Sequence, residues 1–301
     1  MKLVISASPH IDSGATTRKI MGDVLIALLP ALIAAVIIFG WRALLVTAVC
    51  AAACVFFEWG FEKLCRKPST IDDLSAVVTG VILAYNLPVS IPLWQAVFGC
   101  LVAIVAVKQL FGGIGKNFAN PALVGRIVLF LSFSKTMTAW VFPDAVSSAT
   151  PLAQLAAGQK PELWTLLLGN HGGCIGETCA LAPLLGGAYL LIRGVITWQT
   201  PGCFVGTVFV LSLILGQDAV RQILSGGLLL GAFFMATDYV TAPQTCWGRA
   251  LFGIGAGLLT CLIRFYGSYA EGVSFAILFM NILTPYLSKW TRSKPLGGVP
   301  A

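Results

Sequence analysis

The sequence predicts an all-α polytopic membrane protein of about ten transmembrane helices, arranged as two inverted five-helix repeats. Three observations carry that prediction. Of 301 residues, 57% are hydrophobic and only 10% charged, with a mean hydropathy of +0.89, against roughly 25% charged in a soluble domain. Several apolar runs approach or exceed the about 20 residues that a helix needs to cross the hydrocarbon core, and none alternates as a barrel strand would. Two stretches also look alike: "LSAVVTGVILAYNLPVSIPLW" at 74–94 and "LSGGLLLGAFFMATDYVTAPQTCW" at 224–247. Both open on Leu-Ser and set a glycine twelve residues before a proline, Gly80 to Pro92 and Gly231 to Pro243.

Taken in order, "MKLVISASPHIDSGATTRKIMGD" carries polar and basic residues ahead of the first apolar run, which predicts a short cytoplasmic tail and not a cleaved signal peptide. A first half of about 20–134 then holds spans at 22–40, 43–59, 73–87, 92–110 and 119–134. An outer segment of about 135–175 follows, and a second half of about 176–290 holds spans at 177–193, 200–216, 219–237, 249–266 and 270–289. Residues 1–301 thus read as one membrane domain. Five is odd, so the halves would point in opposite directions, as in many transport folds that place a site near the midplane. Thirteen basic residues (Lys2, Arg18, Lys19, Lys63, Arg66, Lys67, Lys108, Lys116, Arg193, Arg249, Lys289, Arg292, Lys294) fall on one side, against five (Arg42, Lys135, Lys160, Arg221, Arg264) on the other. That bias predicts both termini in the cytoplasm and segment 135–175 outside.

The same bias accounts for the net charge of +7 without nucleic acid. The nine cysteines lie mostly in apolar runs, where cysteine packs as a small hydrophobe. Cys174 and Cys179 in "CIGETC" invite a ligand, but with only His10 and His171 a four-ligand metal cage is hard to assemble, and no metal is expected. A strand–G-x-G-x-x-G–helix unit and an iron–sulfur cysteine run are both missing.

The outer segment contains "DAVSSATPLAQL" at 144–155. In isolation, Thr150 caps a short helix, Pro151 takes its first position and Gly158 ends it. The same start presents free backbone N–H groups beside the Thr150 hydroxyl, where a phosphate binds well. Asp144-Ala145-Val146-Ser147-Ser148-Ala149-Thr150 resembles the flavinylation motif D-x-x-S-G-A-T, in which a flavin transferase esterifies the phosphate of FMN to the last threonine. Ser148 stands where glycine is usual. "SGAT" at 13–16 matches the core more literally, yet His10, not an acid, lies six residues before Thr16. "SPHIDSGATTRKIMGDVLIALLP" (8–30), "GGIGKNFANPALVGR" (112–126) and "GNHGGCIGETCALAPLLGGAYLL" (169–191) are similar to blocks that mark the NqrB/RnfD family of membrane flavoproteins, and the resemblance runs from about residue 8 to 290. The short length and the lack of the long N-terminal extension of the NqrB branch point to the RnfD branch.

The resemblance implies a subunit of an Rnf-type complex that couples electron transfer between ferredoxin and NAD to Na⁺ or H⁺ translocation across a bacterial or archaeal cytoplasmic membrane. It implies covalent FMN on Thr150 as an electron relay, with Asp144, Ser147, Ser148 and Ala149 completing the motif. A second, noncovalent flavin is a further cofactor candidate. The implied partners are the other membrane and peripheral Rnf subunits, the flavin transferase, the lipid bilayer and Na⁺ or H⁺. The chain then reads as one redox subunit of a translocase and not as a stand-alone enzyme, and no catalytic residue is assigned.

Four further residues are candidates for a flavin or ion path. Arg126, buried in a span, needs an anionic or carbonyl partner. Asn120 opens the same span after a glycine-rich loop, and Glu177 stands at an expected helix start, as a cap or a pocket wall. Asp238 follows the third span of the second half, within "MATDYVTAP", and is a candidate for ion handling, whereas Asp218 and Glu271 read as solvated span ends. "GAYLLIRG" and "GIGAGLL" offer small-residue faces for sister subunits or for packing within the chain. The competing reading is a small-solute channel or transporter of inverted-repeat fold without a redox cofactor, to which an acid-led Ser-Ser-Ala-Thr loop would be of no use. A lipid-phosphate enzyme ranks third, because Asp72-Asp73 is the only paired acid.

Overall fold

The computed structural model describes residues 16–140, 150–267 and 272–292. Helices occupy all the expected spans, and no strand occurs among the described residues. The helices are α1 (Thr17–Phe39), α2 (Trp41–Leu64), α3 (Ser75–Tyr85), α4 (Leu93–Leu101), α5 (Pro121–Ser132), α6 (Ser134–Met137) and α7 (Pro151–Ala156). They continue with α8 (Leu163–Leu168), α9 (Leu181–Ile192), α10 (Gln199–Ile214), α11 (Ala219–Leu224), α12 (Leu228–Leu230), α13 (Cys246–Tyr266) and α14 (Val273–Trp290). Two π-helical stretches prolong them, Val102–Gln109 after α4 and Gly231–Met235 after α12.

By length and composition α1, α2 and α13 can cross a membrane unaided. Four expected spans are much shorter than the sequence suggests. α3 has 11 residues, α5 and α9 have 12 each, and α12 with its π extension runs only over Leu228–Met235. At 1.5 Å per residue these reach about 12–18 Å, roughly half of a 30 Å hydrocarbon core. The breaks have local causes. α3 stops at Asn86, where Leu87 precedes Pro88 and is pushed toward extended backbone. α5 begins only at Pro121, capped by the Asn120 side chain on Ala122 N. Gly226, at φ +69°, takes a left-handed conformation that separates α11 from α12. Non-helical backbone at such depth is tolerated where protein buries it.

Glycines set the helix spacing. A Cβ on Gly187 of α9 would lie 2.5 Å from the Phe233 ring of the second π-helical stretch, and one on Gly257 of α13 would lie 3.0 Å from the Phe204 carbonyl of α10. Both small-residue faces foreseen in the sequence therefore serve packing within the chain. The outer surface carries exposed Ile33, Ile37, Phe56, Leu213, Ile214 and Leu258, an apolar coat of the kind that lipid covers.

Candidate functional site

The candidate residues separate into three places along the axis of the short helix Leu228–Met235. At its start, Thr150 caps α7 with extended backbone (φ −61°, ψ 154°), and its Oγ1 accepts from Ala153 N at 3.3 Å. The capping role read from the sequence holds, and the hydroxyl is half-buried at the head of a six-residue helix. Leu152 anchors α7: a Cβ on Gly226 would meet Leu152 Cδ1 at 2.6 Å and Arg264 Nη2 at 3.3 Å. Arg264 in turn donates to the carbonyls of Gln222 and Ser225, holding the corner on which α7 rests. Asp144, Ser147, Ser148 and Ala149 lie outside the described residues, as does Glu271.

Along its flank, Arg126 and Glu177 share one buried junction. Arg126, 5% exposed, donates from Nη1 to Asn86 Oδ1 (3.0 Å) and Ser274 Oγ (2.5 Å), and from Nη2 to Cys174 Sγ (3.8 Å). Glu177 Oε1 accepts from Cys174 N at 3.0 Å. α9 begins at Leu181, so Glu177 belongs to the preceding loop and does not cap that helix. A Cβ on Gly227 would lie 3.1 Å from Glu177 Oε2 and 4.0 Å from Arg126 Nη1, so the two side chains close around that backbone. The loop is stitched to the tip of α3 by Ile175 N to Leu87 O (3.0 Å) and Gly176 N to Tyr85 O (2.9 Å). Cys174 and Cys179 turn to different acceptors, the carbonyls of Asn86 and Leu167. In the same loop, burial holds the His171 imidazole below the usual histidine pKa, against its backbone contacts with Gly172 and Thr178.

At the far end, Asn120 and Asp238 line one cavity of about 110 Å³ with Lys108, Asn117, Phe233 and Phe234. Asn120 Nδ2 donates to Met235 O at 3.3 Å, tying the head of α5 to the end of the π-helix. Asp238 lies in the loop that follows. Its oxygens accept from Thr241 Oγ1 (3.0 Å) and Val240 N (3.4 Å). Burial pushes the carboxyl above the usual carboxylate range, with those two donors opposing.

Asp218, read as a solvated span end, instead caps α11 through Arg221 N at 3.1 Å and pairs with the Arg221 guanidinium. Burial works to raise its pKa, but Arg221 and Lys160 outweigh that and lower it.

The sequence reading missed one polar centre. Glu58 of α2 is fully buried, and its Oε1 accepts from Lys108 Nζ at 2.6 Å and from Gln109 Nε2 at 2.8 Å. Lys108 also donates to Ser75 Oγ at 2.6 Å, while Thr70 Oγ1 donates to Glu62 Oε1 at 2.5 Å. Lys108 had counted as a basic span end, yet it is 3% exposed. The usable signal was the spacing of Glu58 and Glu62 by four, which puts two acids on one face of an apolar helix and demands a partner.

Against known proteins, a family model described as "NQR2, RnfD, RnfE family" matches residues 4–297. The D subunit of the Na⁺-translocating ferredoxin:NAD⁺ oxidoreductase complex of Acetobacterium woodii is 46% identical over 99% of this chain and 96% of that protein. Its counterpart in the proton-translocating ferredoxin:NAD⁺ oxidoreductase complex of Clostridium ljungdahlii is 40% identical over 97% of this chain and 96% of its own length. The D subunit of the ion-translocating oxidoreductase complex of Actinobacillus succinogenes is 34% identical, with 97% of each chain covered.

Proposed function

We propose a function from one premise: this chain belongs to the NQR2, RnfD, RnfE family. It acts as the D-type membrane subunit of an Rnf-type complex, coupling electron transfer between ferredoxin and NAD to the movement of Na⁺ or H⁺, with the other Rnf subunits as partners. Thr150 carries FMN as a phosphoester and makes this chain one relay of the electron path.

The observation that supports this reading is the setting of Thr150. Its hydroxyl heads α7, half-buried, its position set by Pro151 at the first helical position and by Leu152 packed on the Gly226 corner. The residues fit the group: a phosphoester on Oγ1 needs a hydroxyl held at a fixed point of the chain and clear of the core, and the cap to Ala153 N is weak enough, at 3.3 Å, to yield. Bound there, flavin would supply one- or two-electron transfer, and the chain would fix its position.

The remaining parts follow the same reading. The two halves oppose each other as an inverted repeat, with α3 and α12 as the corresponding broken helices, both termini in the cytoplasm and the Thr150 loop on the outer side. The cavity of Asn120 and Asp238, with apolar Phe233 and Phe234 against a few convergent polar groups, has the lining of a small-molecule site, and at about 110 Å³ it would have to widen to take the second flavin.

The test is peptide mass spectrometry of the chain produced with its flavin transferase, wild type against Thr150→Ala. FMN mass on the peptide containing Thr150, lost in the variant, is the expected result. An unmodified peptide, from cells whose transferase labels a control substrate, overturns the assignment of FMN to Thr150.

A further inference from the structure

Among the described residues, a packed layer lies between the Thr150 end and the cavity. The tip of α3, the loop around Cys174, the first turn of α14 and the helix Leu228–Met235 meet there. Asn86 is 1% exposed, and Cys174 and Met235 are fully buried. Backbone hydrogen bonds from Ile175 and Gly176 to the α3 tip seal one side. A Cβ on Gly176 would lie 2.4 Å from Tyr85 Cβ, so the two segments are in direct contact with no room for solvent. Arg126 reaches across this layer and bonds to three separate segments through Asn86, Ser274 and Cys174. The cavity of Asn120 and Asp238 stops short of it: Arg126 is not among the cavity's lining residues.

We propose that this layer is a standing barrier to cations with Arg126 as its bolt, so that the cavity is a dead end and the translocated ion does not pass through the middle of this chain. A cation entering from the cavity would have to displace the guanidinium from Asn86 and Ser274, and the incoming charge would meet a group that stays protonated at every working pH. A fixed arginine at a narrow point is a general way to exclude cations and protons from a pathway. The inference concerns this chain's own permeability and stands whether or not Thr150 carries a flavin. It places ion movement at surfaces shared with sister subunits, and it leaves a solute-channel reading without a pore.

The experiment uses the purified complex in proteoliposomes. Passive efflux of radioactive sodium and collapse of an imposed pH gradient are followed without substrate, for wild type and Arg126→Gln. In parallel, a small cationic thiol reagent is added from either side, with and without turnover, and labelling is read by peptide mass spectrometry. Exposed Cys65 and Cys246 serve as positive controls and buried Cys174 as the reporter. The expected wild-type result is tight vesicles and an unlabelled Cys174 under all conditions. In Arg126→Gln, leak rises on the order of tenfold, the change for about 1.36 kcal/mol of barrier, and Cys174 becomes reactive. Labelling of wild-type Cys174 during turnover overturns the proposal, and that measurement needs no variant to fold. A folded Arg126→Gln complex that stays tight, with Cys174 unlabelled, overturns the role given to Arg126.

Discussion

Two acids near the cavity of Asn120 and Asp238 are held in opposite ways: Asp238 lines it, whereas Glu58 lies behind the lining residue Lys108. Glu58 is fully buried but meets the Lys108 ammonium at 2.6 Å, with Gln109 sharing the same oxygen. Asp238 is half-buried and held by a hydroxyl and a backbone N–H. A full countercharge at hydrogen-bond distance makes the Glu58–Lys108 pair part of the scaffold. Asp238 has only neutral donors, and burial pushes its carboxyl above the usual range. The kind of partner, more than exposure, separates the two acids.

Two changes test that contrast and a third probes the seam beside it, in order of expected size. Lys108→Met strands Glu58 without its countercharge and should cost about 3–5 kcal/mol, read as a large drop in the thermal unfolding midpoint of the detergent-solubilised protein. Adding Glu58→Gln should restore most of it. A single variant as stable as wild type would show that Lys108 contributes nothing to holding Glu58. Gly176→Ala acts on neither acid but on the seam at the α3 tip, where the new methyl meets Tyr85. Its overpacking should cost about 1–3 kcal/mol, visible in the same assay, with faster amide exchange around the α3 tip. The smallest change is Asp238→Asn. A carboxyl whose folded pKa is raised lends stability that is complete below its unfolded value and lost as pH climbs through the folded one. Wild type should therefore lose some stability from acid toward neutral pH, and the asparagine variant should show a flatter profile over that window. Equal slopes would mean that Asp238 does not titrate differently in the folded protein.

Much of the fold was legible in the sequence because apolar run length maps directly onto helix position. The halving of α3, α5, α9 and α12 was not, since hydropathy does not distinguish an apolar helix from apolar extended backbone buried beside it. The Leu87-Pro88 and Asn120-Pro121 steps were the local marks of those breaks. Of the four path candidates, the sequence could nominate Arg126, Asn120, Glu177 and Asp238 singly but could not sort them. Folding pairs Asn120 with Asp238 and Arg126 with Glu177, because α5 presents its head to the cavity and its next turn to the central junction. Lys108 escaped notice because a lysine at the end of an apolar run has the same appearance whether it meets water or an internal carboxylate.

The bond between Cys174 Sγ and the Asn86 carbonyl joins residues 88 positions apart, and the backbone stitches beside it span a similar stretch of chain. During synthesis, the polar tip of α3 therefore enters the membrane long before the loop that will satisfy it has been made. At about 5–20 residues per second, that interval is on the order of ten seconds. In those seconds Asn86 must be sheltered by water in the translocon, by the insertion machinery or by an early neighbour, and α5, which brings Arg126, arrives first. The nascent first half is thus a provisional structure, and it becomes permanent only when the opening of the second half reaches the centre.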